Sequence, residues 1–218
     1  MYKDFKDQKY ASVIRESDEL ITKFGGEDFV PKFELLKAQA IGRYQGFEAY
    51  KQALNYVSLN YPQSPEGKKA QLIYQITIPQ IENSAFVEGD LDEEKTHKLI
   101  YTFSRFGDNQ ALELKARLEA IITDLRYDKM KVSLDIYTKD QQFVVVHTKR
   151  NKIGAEGFAE LLTLGKIEDT RGVDLTNWNR KKKYYNKVEQ EFFTVASPNY
   201  RIIQIHKNLD KYLEPKAE

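Results

Sequence analysis

The chain has 218 residues, 41% hydrophobic and 12% aromatic, which is enough apolar surface for a packed core and excludes intrinsic disorder. Its 34 Lys and Arg against 33 Asp and Glu leave a formal net charge of +1, which removes the whole-chain electrostatic case for binding nucleic acid or an acidic membrane. The absence of cysteine excludes a disulfide framework, a thiolate nucleophile and a Cys-ligated metal site.

Tyr2, Phe5 and Lys9-Tyr10 recur at helical spacing from the first residues, so Met1 reads as the start of a piece of a longer protein. Over the first eighty or so residues apolar positions follow the helical period of about 3.6, with a weak internal repeat. Gln8 to Phe24 superposes on Gln45 to Tyr61, and each aromatic end leads into a loop, Gly25-Gly26-Glu27-Asp28 or Pro62-Gln63-Ser64-Pro65, and a new helix from about Pro31 or Glu66. One helical hairpin cannot bury its own apolar face, so hairpins repeating at this interval stack. Ala38, Ala40, Gly42 and Ala53, with Phe47 and Tyr61-Pro62, resemble a loose tetratricopeptide repeat. The longest uncharged stretches, Gln52 to Pro65 and Ala70 to Ile81, carry Asn, Gln, Ser and Pro and fall short of the ~20 apolar residues of a membrane span.

An acidic run from Glu82 to Glu94 interrupts the periodicity, and from His97 onward strands and helices interleave. The spacing predicts a strand over Lys98 to Arg105, then a helix capped by Asp108 or Asn109 with Ala111, Leu114, Leu118, Ile121 and Leu125 on one face. Met130 to Tyr137 alternates as a half-buried strand, and Phe143 to His147, apolar on both faces, reads as a central one. A helix capped by Asn151 follows, then a strand over Gln190 to Ala196 and a last helix from Ser197-Pro198 to Leu213. That helix is expected to dock on the sheet, so that Ile205→Asp unfolds the second half. The fold class is therefore α plus α+β: tetratricopeptide-like hairpins over 1–84, an acidic linker over 85–96, and a ferredoxin-like β-α-β-β-α-β domain with an extra C-terminal helix over 97–218.

Phe143-Val144-Val145-Val146-His147 and the run Phe193, Ser197, Asn199, Tyr200, Lys207 and Tyr212 resemble the C-terminal region of the PorW/SprE family. These are tetratricopeptide-containing outer-membrane lipoproteins of Bacteroidetes that serve type IX secretion and gliding motility. The resemblance spans most of residues 98 to 213. It implies a C-terminal fragment of a periplasmic, non-enzymatic adaptor, held to the outer membrane through an upstream lipid anchor and joining the secretion translocon to ring or motor components.

The residues themselves offer little chemistry. His97, His147 and His206 are isolated, with no pair at metal-ligand spacing, and each reads as a local hydrogen-bonding group. Asp135, His147 and Ser197 could be assembled into a triad on paper, but no Gly-x-Ser-x-Gly elbow exposes the serine. Gly25-Gly26 and Gly154-x-x-Gly157 lack the companions of a phosphate loop. No catalytic set, cofactor or metal is expected. Between Lys149 and Lys187, Arg180, Lys181, Lys182 and Lys183 are flanked by Trp178, Tyr184 and Tyr185, a combination that can bind nucleic acid. Valines stand where an RNA-recognition strand needs rings, so a solvated loop able to dock on an acidic partner is the expectation and nucleic acid is not. The concave side of stacked hairpins is the other expected surface, with Phe5, Lys9, Lys37, Tyr44 and Lys51 as its candidate residues, taken to lie on the first helices of hairpins. A generic scaffold, an RNA-recognition-like binder and an enzyme on the open sheet face are the competing readings.

Overall fold

A computed structural model describes residues 1–87, 95–106, 109–164 and 188–214. Helices come first and an antiparallel four-stranded sheet follows. The chain forms two compact units: one holds Met1–Phe86, Ile136–Lys139 and the described part of Arg201–Glu218, the other the described parts of Val87–Asp135 and Asp140–Tyr200.

In the helical unit, α1 (Tyr2–Lys6) is cut from α2 (Tyr10–Lys23) where Gln8 takes a φ of 59°, so the expected continuity from Phe5 into Tyr10 is broken. Then follow α3 (Val30–Gln45), α4 (Phe47–Asn60), α5 (Pro65–Leu72), a π-helical segment (Ile73–Thr77) and α6 (Ile78–Glu82). The boundaries of α2 and α4 lie 37 residues apart, 10 to 47 and 23 to 60. Small residues let α3 and α4 approach: a Cβ on Gly42 would meet the Tyr50 ring at 2.8 Å. Ser64 starts α5, its hydroxyl accepting the Gly67 N–H at 2.9 Å. The single helix expected from Glu66 widens at the π segment because Pro79 has no N–H and its ring would strike the carbonyl four residues back; a wider turn relieves that clash. Leu35, Ala38, Phe47, Leu54, Val57, Ala70 and Ile78 form one core, and Tyr10, Val13 and Ala40 a second.

In the sheet unit, β1 (His97–Ser104), α7 (Gln110–Asp124), β2 (Lys131–Ile136), β3 (Gln141–Arg150), α8 (Lys152–Leu164) and β4 (Phe192–Ala196) run in that order, and the strands lie β2-β3-β1-β4. Strand β3 is internal, and its central run Phe143 to Val146 is buried on both faces, as that run's double-sided apolar pattern requires. Asn151 caps α8, its Oδ1 accepting the Gly154 N–H at 3.0 Å. Leu99, Tyr101, Phe103, Val144 and Val146 pack with Leu114, Leu118, Ile121 and Phe158 of the two helices in the main core. On the opposite face Phe143 meets the rings of Phe193 and Tyr200.

The terminal helix differs from the single span expected over Pro198 to Leu213. It divides into α9 (Ser197–His206) and α10 (Leu209–Leu213), because Lys207 adopts a left-handed φ of 54°. From Arg201 onward it is counted with the helical unit, and Ile205 packs into the core of Leu35, Phe47 and Ile78. The expected docking of Ile205 on the sheet is thus corrected. The misreading has a simple cause: an apolar stripe specifies burial but not its partner.

Candidate functional site

Helices α2, α3 and α4 of the helical unit bring several of the expected surface residues near one another. Helix α3 packs on both α2 and α4, whereas α2 and α4 do not pack closely on each other. At about 100° per residue, Leu36 and Ala40 of α3 turn toward α2, and Leu35, Ala38 and Gly42 toward α4. Val30, Glu34, Lys37 and Ile41 fall between those directions, on one face of α3. Asp18 of α2 reaches it from one side, its carboxylate 2.6 Å from Lys37 Nζ. Tyr56 of α4 and Tyr61 at its end stand within electrostatic reach from the other. Glu34 is only 5% exposed, and the Lys37 ammonium lies 3.8 Å from it. Burial pushes the Glu34 carboxyl above the ordinary range and Asp18 adds to the effect, against the opposing pull of Lys37. Burial likewise raises the Tyr61 phenol, with Glu34 and Tyr56 in the same sense.

The expected surface residues are distributed differently from their assignment to first helices. Phe5 belongs to α1 and stacks edge-on against Tyr10 at 5.5 Å, and Tyr44 of α3 packs on the same small core. Lys9 lies between α1 and α2, exposed, 3.5 Å from Asp4. Lys51, on α4, is 2.6 Å from Glu82 of α6 and ties those helices together. Lys37 lies on α3, the second helix of its hairpin, between the carboxylates of Asp18 and Glu34. Trp178, Arg180, Lys181, Lys182 and Lys183 lie outside the described residues. Glu34 was passed over because a glutamate at helical spacing reads as solvated; the available signal was its place four residues from Val30 and three from Lys37 in an otherwise apolar stripe.

A second cluster occupies the sheet face opposite the main core. His147 Nε2 lies 2.8 Å from Ser133 Oγ, and its Nδ1 lies 2.9 Å from Lys98 Nζ. A protonated Lys98 donates to Nδ1, so the ring proton sits on Nε2 and points at Ser133. Such an imidazole cannot take a proton from the serine, the reverse of what a nucleophilic pair needs. Burial holds the His147 imidazolium below its ordinary range, and Lys98 adds repulsion; burial and Lys149 lower Lys98, opposed by Asp135. Asp135 accepts from the Tyr200 hydroxyl at 2.6 Å, and Ser197 Oγ lies 2.9 Å from Thr96 Oγ1. The paper triad of Asp135, His147 and Ser197 is therefore not assembled. His97 Nδ1 lies 3.0 Å from the Lys95 carbonyl, and His206 Nε2 lies 3.1 Å from both Ser84 Oγ and the Ile81 carbonyl.

Ser197, Asn199 and Tyr200 have definable tasks. The Asn199 amide binds both backbone groups of Val87, accepting its N–H at 2.8 Å and donating to its carbonyl at 3.2 Å, while Ser197 holds Thr96. Among the described residues no group of three or more His, Asp or Glu is placed to hold a metal. Two open depressions of about 400 and 240 Å³ flank α7, one against Met130 and Val132, the other against Phe103 and Val188. No family model and no curated protein matches this chain.

Proposed function

We propose that this chain is a non-enzymatic protein–protein adaptor whose helical unit is a tetratricopeptide-like array and whose sheet unit is ferredoxin-like. The 37-residue spacing of α2 and α4 supports the first, and the strand order β2-β3-β1-β4, with helices after β1 and β3, supports the second. The observation that carries the functional reading is that α3 packs on both α2 and α4 while those two do not pack closely on each other, an arrangement of stacked helices that presents a multi-helix face of the kind that binds a segment of another protein. The Lys98–His147–Ser133 tautomer argues against acyl-transfer chemistry at that cluster.

The setting we infer is the type IX secretion and gliding machinery of Bacteroidetes, through the PorW/SprE resemblance, with the full protein in the periplasm and anchored at the outer membrane. Its partners there are components of the translocon and of the ring or motor. Crosslinking and capture from a Bacteroidetes host expressing the tagged parent protein tests this. Recovery of translocon and ring components, reduced by Tyr56→Ala, is the expected result. Recovery of none, with secretion and gliding intact in a deletion strain, overturns the assignment.

A further inference from the structure

On the sheet face opposite the main core, the side chains of the polar cluster close into a circuit. Lys98 of β1 and His147 of β3 are direct cross-strand partners, and Lys98 Nζ lies 2.9 Å from His147 Nδ1. The other ring nitrogen lies 2.8 Å from Ser133 Oγ on β2. Two residues on, and so on the same face of β2, Asp135 accepts the Tyr200 hydroxyl of α9 at 2.6 Å. The circuit closes where Lys98 Nζ lies 5.5 Å from the centroid of the Tyr200 ring. Among the described residues the imidazole nitrogen is the only hydrogen-bond acceptor of Lys98.

That single bond depends on the charge of the ring. A neutral His147 with its proton on Nε2 keeps a lone pair on Nδ1 for the ammonium. A second proton goes to Nδ1 itself, which turns the contact into two donors and two positive charges facing each other at 2.9 Å. Ser133 still accepts from Nε2, so the contact that fails is the one with Lys98. Lys98 from β1, Lys131 from β2 and Lys149 from β3 all oppose the imidazolium, and Asp135 of β2 alone favours it. Asp135 also attracts Lys98, and it sits at the hydroxyl end of the Tyr200 ring over which the ammonium already lies. We propose that His147 is a proton switch on the first turn of α9: on charging, it drives Lys98 from Nδ1 to Asp135, which takes the cation from the Tyr200 ring and sets an ammonium in competition with the Tyr200 hydroxyl. The same turn carries Ser197, whose N–H donates to the Thr96 carbonyl at 2.9 Å, and Asn199, whose Oδ1 accepts the Val87 N–H at 2.8 Å. Acid therefore loosens the attachments of Ser197, Asn199 and Tyr200 together.

Nuclear magnetic resonance of the full chain from about pH 7.5 to about pH 4.5 tests this. At the upper end the ring is expected to be neutral and protonated on Nε2. As the pH falls it should charge below its ordinary value of about 6.5, and in the same step the protection of the Val87 and Ser197 amides against exchange should drop about tenfold while amides inside β1 and β3 keep theirs. Lys98→Met should let the ring charge at a higher pH and yet abolish the step at both amides. His147→Gln should abolish the step as well. In the native chain, with no variant needed, a neutral ring carrying its proton on Nδ1 overturns the proposal, as does a ring that stays neutral throughout or charges while both amides keep their protection. A step that persists in Lys98→Met or in His147→Gln overturns it too.

Discussion

Two half-buried bases set how stability responds to pH. His147 has a folded-state pKa below its ordinary value of about 6.5, so on acidification the unfolded chain takes up that proton first. Stability is then present above that pH and is lost as pH falls below it. Lys98, Lys149 and Lys131 all oppose the imidazolium, and Asp135 only partly offsets them. Urea midpoints taken near pH 7.5 and pH 5 should fall more for the native chain than for His147→Gln, whose amide cannot charge. Lys207 works at the other end of the scale. Burial pushes its ammonium down to about 8, with repulsion from Arg43 added. The charged form is nonetheless used, because Nζ donates to the Arg43 carbonyl at 3.1 Å in the last turn of α3 and lies 5.3 Å from the Tyr137 ring centroid. Above about pH 8 the folded chain sheds this proton while the unfolded chain keeps it to about 10.4, so stability rises with pH across that window. Lys207→Met should remove that rise, on the order of 1 to 3 kcal/mol, in chemical denaturation at stepped pH.

At the scale of elements, the turn between α4 and α5 is the tightest specified joint. A Cβ on Gly67 would sit 1.8 Å from the Tyr61 carbonyl oxygen, and that atom is backbone that no rotamer change can move. Gly67→Ala should therefore cost roughly 1 to 3 kcal/mol, more than Ser64→Ala, which loses only a cap of about 1 kcal/mol; thermal melts of the two variants check the order. Turn residues such as Ser64 and Asn151 were legible because each acts on neighbours in sequence. The succession of the four strands and the two helices between them followed from periodicity for the same local reason. What escaped was decided by distant groups. The break at Lys207 has no glycine to announce it, since the left-handed turn is held by Arg43 from α3 and by packing against Gly46. Glu34 likewise looks like any helical glutamate until α2 and α4 are folded beside it.

For the whole chain, the consequence of the two units is that both are discontinuous in sequence, the helical one in three segments and the sheet one in two. The helical unit is not finished by Phe86: it takes in the β2–β3 turn and the segment after Tyr200. Within it the half-buried Ile205 packs against the core of Leu35, Phe47 and Ile78, His206 lies 5.1 Å from the Phe47 ring and bonds Ser84, and the Leu209 N–H reaches the Tyr137 hydroxyl at 3.0 Å. Contacts this far apart in sequence impose a loop-closure cost before they contribute, so the helical unit cannot complete itself while the C-terminal segment is missing. Ile205→Asp should accordingly destabilise the helical unit by roughly 1 to 3 kcal/mol, since it places a charge against the edge of an apolar core. A fragment of residues 1–86 should be helical but melt broadly, and addition of a peptide covering 197–214 should sharpen the transition and raise its midpoint. The same peptide carrying Ile205→Asp should do neither. A 1–86 fragment that melts sharply alone, and is indifferent to the peptide, would show that the hairpins close their own core and that the C-terminal segment is only laid upon them.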